Sequence, residues 1–201
     1  HALRMQTEVS LGKPRSIDEY RDLLASSLEE YERLSRIIGD MLFLAKAEHG
    51  LVSPGKEAIG LRDLCQRLVE YYGILKENVS LELLGDDVRI HGDQLMLERA
   101  IGNLLVNAIH HTPSGGRIAL AIAREAESAV ITVSNSGPPI PRDALSRIFD
   151  RFVRLNQDNE GSGLGLAITR SIVHAHRGTI AVFTGEQKTE FVIRIPLEVA
   201  K

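Results

Sequence analysis

Along the first third of the chain, mostly apolar positions recur at alternating intervals of four and three. Tyr20, Leu24, Ser27, Tyr31, Leu34, Ile38, Met41 and Ala45 form a heptad seam of almost four repeats, which predicts a helix from about residue 17 to residue 48. Ser16 ahead of Ile17-Asp18-Glu19 supplies an N-cap and an acidic first turn, and His49-Gly50 ends the pattern. Leu23, Leu28, Ile37, Leu42 and Leu44 widen the stripe beyond a two-helix contact, a width that suits a four-helix bundle. One chain brings only two helices, so the pattern predicts a homodimer; a helix packed within its own chain is the alternative. Residues 1–13 read as a second, shorter amphipathic stretch stopped by Gly12-Lys13-Pro14.

Beyond the linker Ser53-Pro54-Gly55 the pattern alternates between helix and strand. An apolar face of Leu61, Leu64, Cys65, Leu68 and Tyr72 predicts a helix over 61–76. Strands follow near 79–84 and 88–91, then a helix over 93–110. Residues 117–124 and 129–134 alternate as a hairpin around a polar turn at 125–128. A short helix is expected near 142–148, opened by Pro141. Another is expected over 164–176, closed by Gly178, before strands near 179–183 and 190–196. The chain is therefore read as a helical part over 1–49 and one α+β domain over 50–201.

Composition narrows the function. With 201 residues, 43% hydrophobic and 25% charged, the chain can bury a core and is not globally disordered. A formal charge of −3 argues against nucleic acid as a partner. The single Cys65 excludes a disulfide framework and a cysteine zinc site within the chain, and its place on an apolar face reads as a packed thiol. No run of about 18 apolar residues is present. The first residue is His rather than Met, so a piece of a longer protein is expected.

Four segments carry candidate chemistry. Gly161-Ser162-Gly163-Leu164-Gly165-Leu166 precedes a helix, where close backbone approach and the helix N-terminus favour a phosphate; a flexible linker reads equally well. Asn103 and Asn107 lie four apart on one helix face amid apolar neighbours, with Glu98 in the same region; their oxygens suit Mg²⁺, or the face simply meets solvent. Asn135-Ser136-Gly137-Pro138-Pro139-Ile140-Pro141 is a stiff turn after a strand, where a polar side chain can read an adenine edge. Phe149-Asp150-Arg151-Phe152-Val153-Arg154 places guanidinium groups for phosphates and rings for anchoring a loop, or forms a basic helix end.

Together and in this order, the four segments resemble the ATP-binding domain of sensor histidine kinases, with Thr189 in Lys188-Thr189-Glu190-Phe191 similar to the last nucleotide-box threonine. Ser134-Asn135-Ser136-Gly137-Pro138-Pro139-Ile140 and Asp40-Met41-Leu42-Phe43-Leu44-Ala45 are similar to the copper and silver sensor subgroup. The resemblance implies a Bergerat-type α/β sandwich, a mixed sheet with helices on one face, preceded by part of an α-helical dimerisation hairpin. It implies Mg-ATP held by Asn107, with Asn103 and Glu98 helping. Asn135, Gly137 and Ile140 would face adenine, with Thr189 behind it. Gly161, Gly163, Leu164, Gly165, Leu166 and Phe152 would shape a lid, and Arg151, Arg154 and His110 would meet phosphate charge. Most relatives have Asp-x-Gly-x-Gly where this chain has Asn135-Ser136-Gly137-Pro138-Pro139; an amide oxygen can still accept from the exocyclic amine.

The resemblance also implies γ-phosphoryl transfer to a histidine on the hairpin, relay to a response-regulator Asp, and a cytoplasmic place in a bacterial inner-membrane protein anchored through other segments. His1-Ala2-Leu3-Arg4-Met5-Gln6 lacks the acidic residue and the proline of the acceptor box, so no phosphoacceptor histidine is expected in this chain. His174 and His176, two apart on a helix, face different ways and are not read as metal ligands. The alternative function is a nucleotide-binding dimeric signalling module without kinase activity.

Overall fold

The computed structural model describes residue 12 and residues 16–74, 78–154 and 162–197. Two compact units divide the chain, His1–Leu42 and Phe43–Lys201. Apart from Gly12, the short stretch expected over 1–13 lies outside the described residues.

Helix α1 runs from Ile17 to Glu48, the span that the heptad pattern predicts. Its start is a reciprocal capping box: Glu19 N donates to Ser16 Oγ at 3.2 Å, and Ser16 N donates to the Glu19 carboxylate at 2.7 Å. In the first unit, Leu24, Leu28, Tyr31, Ile38 and Leu42 are each more than half exposed, so the seam is uncovered. The final turn belongs to the second unit. There Leu44 is buried, and the Arg99 guanidinium lies 4.9 Å from the centre of the Phe43 ring.

The second unit contains β1 (Glu57–Gly60), α2 (Leu61–Gly73), β2 (Ser80–Gly85), β3 (Arg89–Gly92), α3 (Gln94–His111), β4 (Arg117–Glu125), β5 (Ser128–Ser136), α4 (Gly165–Ala175), β6 (Thr179–Gly185) and β7 (Lys188–Pro196). Five strands form a mixed sheet in the order β2-β4-β5-β7-β6, while β1 and β3 pair separately. Only β2 and β4 run parallel in the large sheet. Cross-strand partners share a face. Leu120, Val133 and Phe191 line one row across the sheet, and Ile122, Ile131 and Ile193 the next. These rows are buried in one core with Leu61 and Leu64 of α2, Leu97, Ile101, Leu104 and Leu105 of α3, and Val173 of α4. The helices therefore cover a single face, as expected. Cys65 lies in this core, and burial pushes its thiol up to about 12, so it is a structural residue.

One local expectation is corrected, one strand is added and one helix end is refined. Residues 142–149 form successive turns rather than a helix. Ala144 N bonds back to Pro141 O and Arg147 N to Ala144 O, and only Ile148 N reaches four residues back; so short a segment gains too few bonds to offset helix nucleation. Strand β1 was not anticipated, because four residues show too little alternation and its partner lies far along the chain. At the end of α4, the left-handed residue is Arg177, with φ of 57°, rather than Gly178. Arg177 N donates to His174 O and Gly178 N to Val173 O, a Schellman closure. A Cβ on Gly178 would lie 2.4 Å from Arg194 O, so glycine is required there by crowding.

Asp93 caps α3: its carboxylate accepts from Met96 N at 3.0 Å and from Gly55 N at 3.2 Å. The Met96 amide chiefly, with Gly55, Leu95 and His176, holds the carboxyl below the usual range against the opposing effect of burial. A depressed folded-state pKa contributes stability above the unfolded value of about 3.9, and that stability is lost as pH falls through the folded value. Asp93→Ala is expected to cost about 1 kcal/mol at pH 7, and the gap to the parent should narrow below about pH 4. Urea denaturation at pH 7 and pH 3 measures it; a gap unchanged at pH 3 contradicts the capping role.

Candidate functional site

Helix α3 presents both asparagines on one side. Asn103 Nδ2 donates to Gly165 O at 3.1 Å, which joins the middle of α3 to the start of α4. Asn107, one turn further on, is half-buried, and its amide has no hydrogen-bond partner among the described residues. His110 is exposed near the helix end. Glu98 does not join this group. Nine residues before Asn107 is about half a turn out of phase on the helix, and the Glu98 carboxylate is held by Arg67 at 2.9 Å and by Gln94 at 3.0 Å.

The end of the sheet supplies a second, polar wall. Asn135 of β5 pairs in register with Thr189 of β7, which pairs with Thr184 of β6. Directly opposed residues share a face, so these three polar groups continue the rows of core side chains. Asn135 is 4% exposed and Thr189 5%. Yet among the described residues the one hydrogen bond of the Asn135 amide runs from Nδ2 to Ser136 O at a marginal 3.5 Å. A buried amide left so poorly paired calls for a partner. Thr184 Oγ1 accepts from Ile140 N at 3.0 Å, which folds the proline turn back over β6. Gly137 N donates to Gln187 O at 3.2 Å, and a Cβ on Gly137 would lie 2.4 Å from His111 O. The turn therefore lies directly against the last residue of α3.

The ends of the glycine-bearing loop meet each other. Phe152 N donates to Gly163 O at 2.9 Å, and both residues are left-handed, with φ of 63° and 68°. A Cβ on Gly163 would lie 2.8 Å from the Phe152 backbone. Gly161 lies outside the described residues. Leu164 is fully buried as the N-cap of α4, and Leu166 is partly buried against the core. The Phe152 ring is mostly exposed. Arg151 pairs with Glu48 at the end of α1, and Arg154 is exposed. Phe149 packs edge-on to Phe191, with ring centres 6.3 Å apart.

Asn103 with Gly165, Asn135 with Thr189, Gly137 with the end of α3, and Phe152 with Gly163 are thus brought together as four linked contacts. Sequence reasoning missed Thr184 and the Gln187 and His111 carbonyls. The threonine at 184 was the one with a signal, since a tight turn at Glu186-Gln187 sets it opposite Thr189.

Residues 92–199 match the family described as "Histidine kinase-, DNA gyrase B-, and HSP90-like ATPase". Sensor histidine kinase CusS of Escherichia coli O6:H1 is 42% identical over 197 residues, covering 95% of this chain and 41% of that protein. Probable sensor kinase SilS of Salmonella typhimurium is 37% identical over 203 residues, covering 95% and 40%. The chain spans about two fifths of the length of these curated relatives. Among solved structures, Acinetobacter baumannii histidine kinase AdeS superposes with a TM-score of 0.82 over 98% of this chain and 94% of that one, at 20% identity, a likeness of fold. The catalytic domain of histidine kinase ThkA gives a TM-score of 0.65 at 29% identity, over 70% of this chain and 95% of that one.

Proposed function

Because the chain belongs to the histidine kinase-, DNA gyrase B- and HSP90-like ATPase family, we propose that residues 50–201 bind Mg-ATP and form the catalytic domain of a sensor histidine kinase. The observation that carries this reading is the pair of underused amides: Asn135, buried yet almost unpaired, and Asn107, half-buried and without a partner among the described residues. Asn135 and Gly137, with Ile140, would face adenine, and Thr189 would stand behind it. The amide oxygens of Asn107 and Asn103 are hard donors of the kind Mg²⁺ accepts alongside phosphates and water. When bound, the ion would neutralise phosphate charge. His110, Arg151 and Arg154 would add cationic groups around the phosphates, and Gly161, Gly163 and Gly165 would let the loop between Phe152 and α4 follow the nucleotide. Glu98, committed to Arg67, has no part in this reading.

Catalysis then rests on positioning and charge stabilisation. The acceptor would be a hairpin histidine outside this chain, and the product would pass to the Asp of a response regulator. The uncovered α1 seam would serve a homodimer. No helix among the described residues is long and apolar enough to cross a membrane; the place of the domain on the cytoplasmic side of a bacterial inner membrane follows from the sensor-kinase reading. Asn135 in place of the usual acid favours a second reading, a nucleotide-binding dimeric module without transfer.

Calorimetric titration of the purified chain tests the first step. Uptake of ATP that requires Mg²⁺ is expected, with Asn107→Ala weakening it at least about tenfold. No uptake at millimolar nucleotide removes both readings. Supplying an acceptor-bearing helix separates them: acid-labile phosphohistidine supports the kinase, whereas ATP uptake without transfer leaves the second reading.

A further inference from the structure

Thr169, in the second turn of α4, has no exposed surface, and nothing above uses it. Its Oγ1 lies 3.0 Å from Gly165 O and 3.2 Å from Ala100 O on α3. The hydroxyl carries one proton, so the two carbonyls share it or exchange it. A threonine bonding back four residues is common in helices and alone marks nothing. Two further facts distinguish this one. The hydroxyl also reaches across to α3, and the Gly165 carbonyl it holds is the one that accepts from Asn103 Nδ2 at 3.1 Å. A carbonyl oxygen only accepts, so its position obliges the Asn103 amide to turn its nitrogen toward α4 and its oxygen away.

We propose that Thr169 is a positioning residue of the nucleotide site: its buried hydroxyl fixes the Gly165 carbonyl, which in turn orients the Asn103 amide and anchors the first turn after the glycine loop to α3. This rests on the nucleotide reading above. Without the hydroxyl, Gly165 O keeps Asn103 as its side-chain donor, Ala100 O loses its link to α4, and the junction of the two helices loosens next to the site.

Thr169→Val keeps the shape and removes the hydroxyl, while Thr169→Ser keeps the hydroxyl and removes a methyl group. Mg-ATP affinity of the whole chain is read by calorimetry, alongside the thermal midpoint, with Asn103→Ala made in the parent and in the valine background. The valine variant is expected to bind about five- to tenfold more weakly, the scale of one buried hydrogen bond. The serine variant should stay within about twofold of the parent. The double variant should bind no more weakly than Asn103→Ala alone, because both changes act through one carbonyl. Equal losses in the valine and serine variants, full additivity with Asn103→Ala, or an unchanged affinity in the valine variant overturns the proposal. If the valine variant melts below the assay temperature, Thr169→Ala read against Thr169→Ser gives the same contrast. A parent that takes up no nucleotide sinks the nucleotide reading and this role with it. A parent that binds ATP no better than its valine variant sinks this role alone.

Discussion

Gly137→Ala is expected to abolish measurable Mg-ATP uptake at millimolar nucleotide and to lower stability by about 2–3 kcal/mol. The added Cβ would sit 2.4 Å from His111 O and 3.3 Å from Asn135 Nδ2. The first of these neighbours is backbone at the end of α3, and it cannot turn aside as a side-chain tip can. Relief must come from the turn lifting off the helix. That movement strains the bond from Gly137 N to Gln187 O and displaces Asn135, two residues earlier. Gly73→Ala is the control, because its Cβ, at the end of α2 and away from this turn, would meet nothing within 4 Å. Urea denaturation reads the stability and calorimetry the binding. A Gly137→Ala chain that binds Mg-ATP like the parent would place the nucleotide elsewhere than against this turn.

What the sequence discloses divides by range. Helix α1 was legible to its ends because the heptad seam and the Ser16–Glu19 capping box are local and mutually consistent signals. The same holds for the α3 and α4 helices and for the β4–β5 hairpin, where alternation over nine residues per strand leaves little ambiguity. Strand β1 was hidden because Glu57-Ala58-Ile59-Gly60 becomes a strand only by pairing with Arg89–Gly92. The pairing of Glu98 with Arg67, and of Arg151 with Glu48, each join positions far apart in the chain. No local pattern reports such contacts, although helical phase alone sets Glu98 away from Asn107. Asn103 and Asn107 were legible as polar residues set among apolar neighbours in a helix, and Asn135 and Gly137 as part of a stiff turn after a strand. Thr169 was not, because a threonine within a helix is unexceptional until its hydroxyl is found between two carbonyls.

Phe191→Ala should be the most costly single truncation in the second unit, at about 3–5 kcal/mol. The ring is 1% exposed and stands in register between Val133 of β5 and Val182 of β6. Three paired strands hold its surroundings, so the space cannot close by a shift of one side chain, and most of the cavity penalty remains. The loss also reaches the site. Phe149 leans edge-on against Phe191, and the Arg170 guanidinium lies 5.8 Å from the centre of the Phe149 ring. This stack supports the segment that leads into Phe152 and its bond to Gly163. Thr189 lies two residues before Phe191 on the same face of β7, so a strand that relaxes into the cavity carries Thr189 with it. Phe191→Leu refills most of the volume and should cost no more than about 1.5 kcal/mol. Saturating Mg-ATP should then recover part of the alanine loss, since a ligand that binds only the folded chain stabilises it. Urea midpoints with and without nucleotide measure both effects. An alanine cost below about 1 kcal/mol would mean that the sheet and helices close over the gap, contrary to the rigidity inferred from the paired strands.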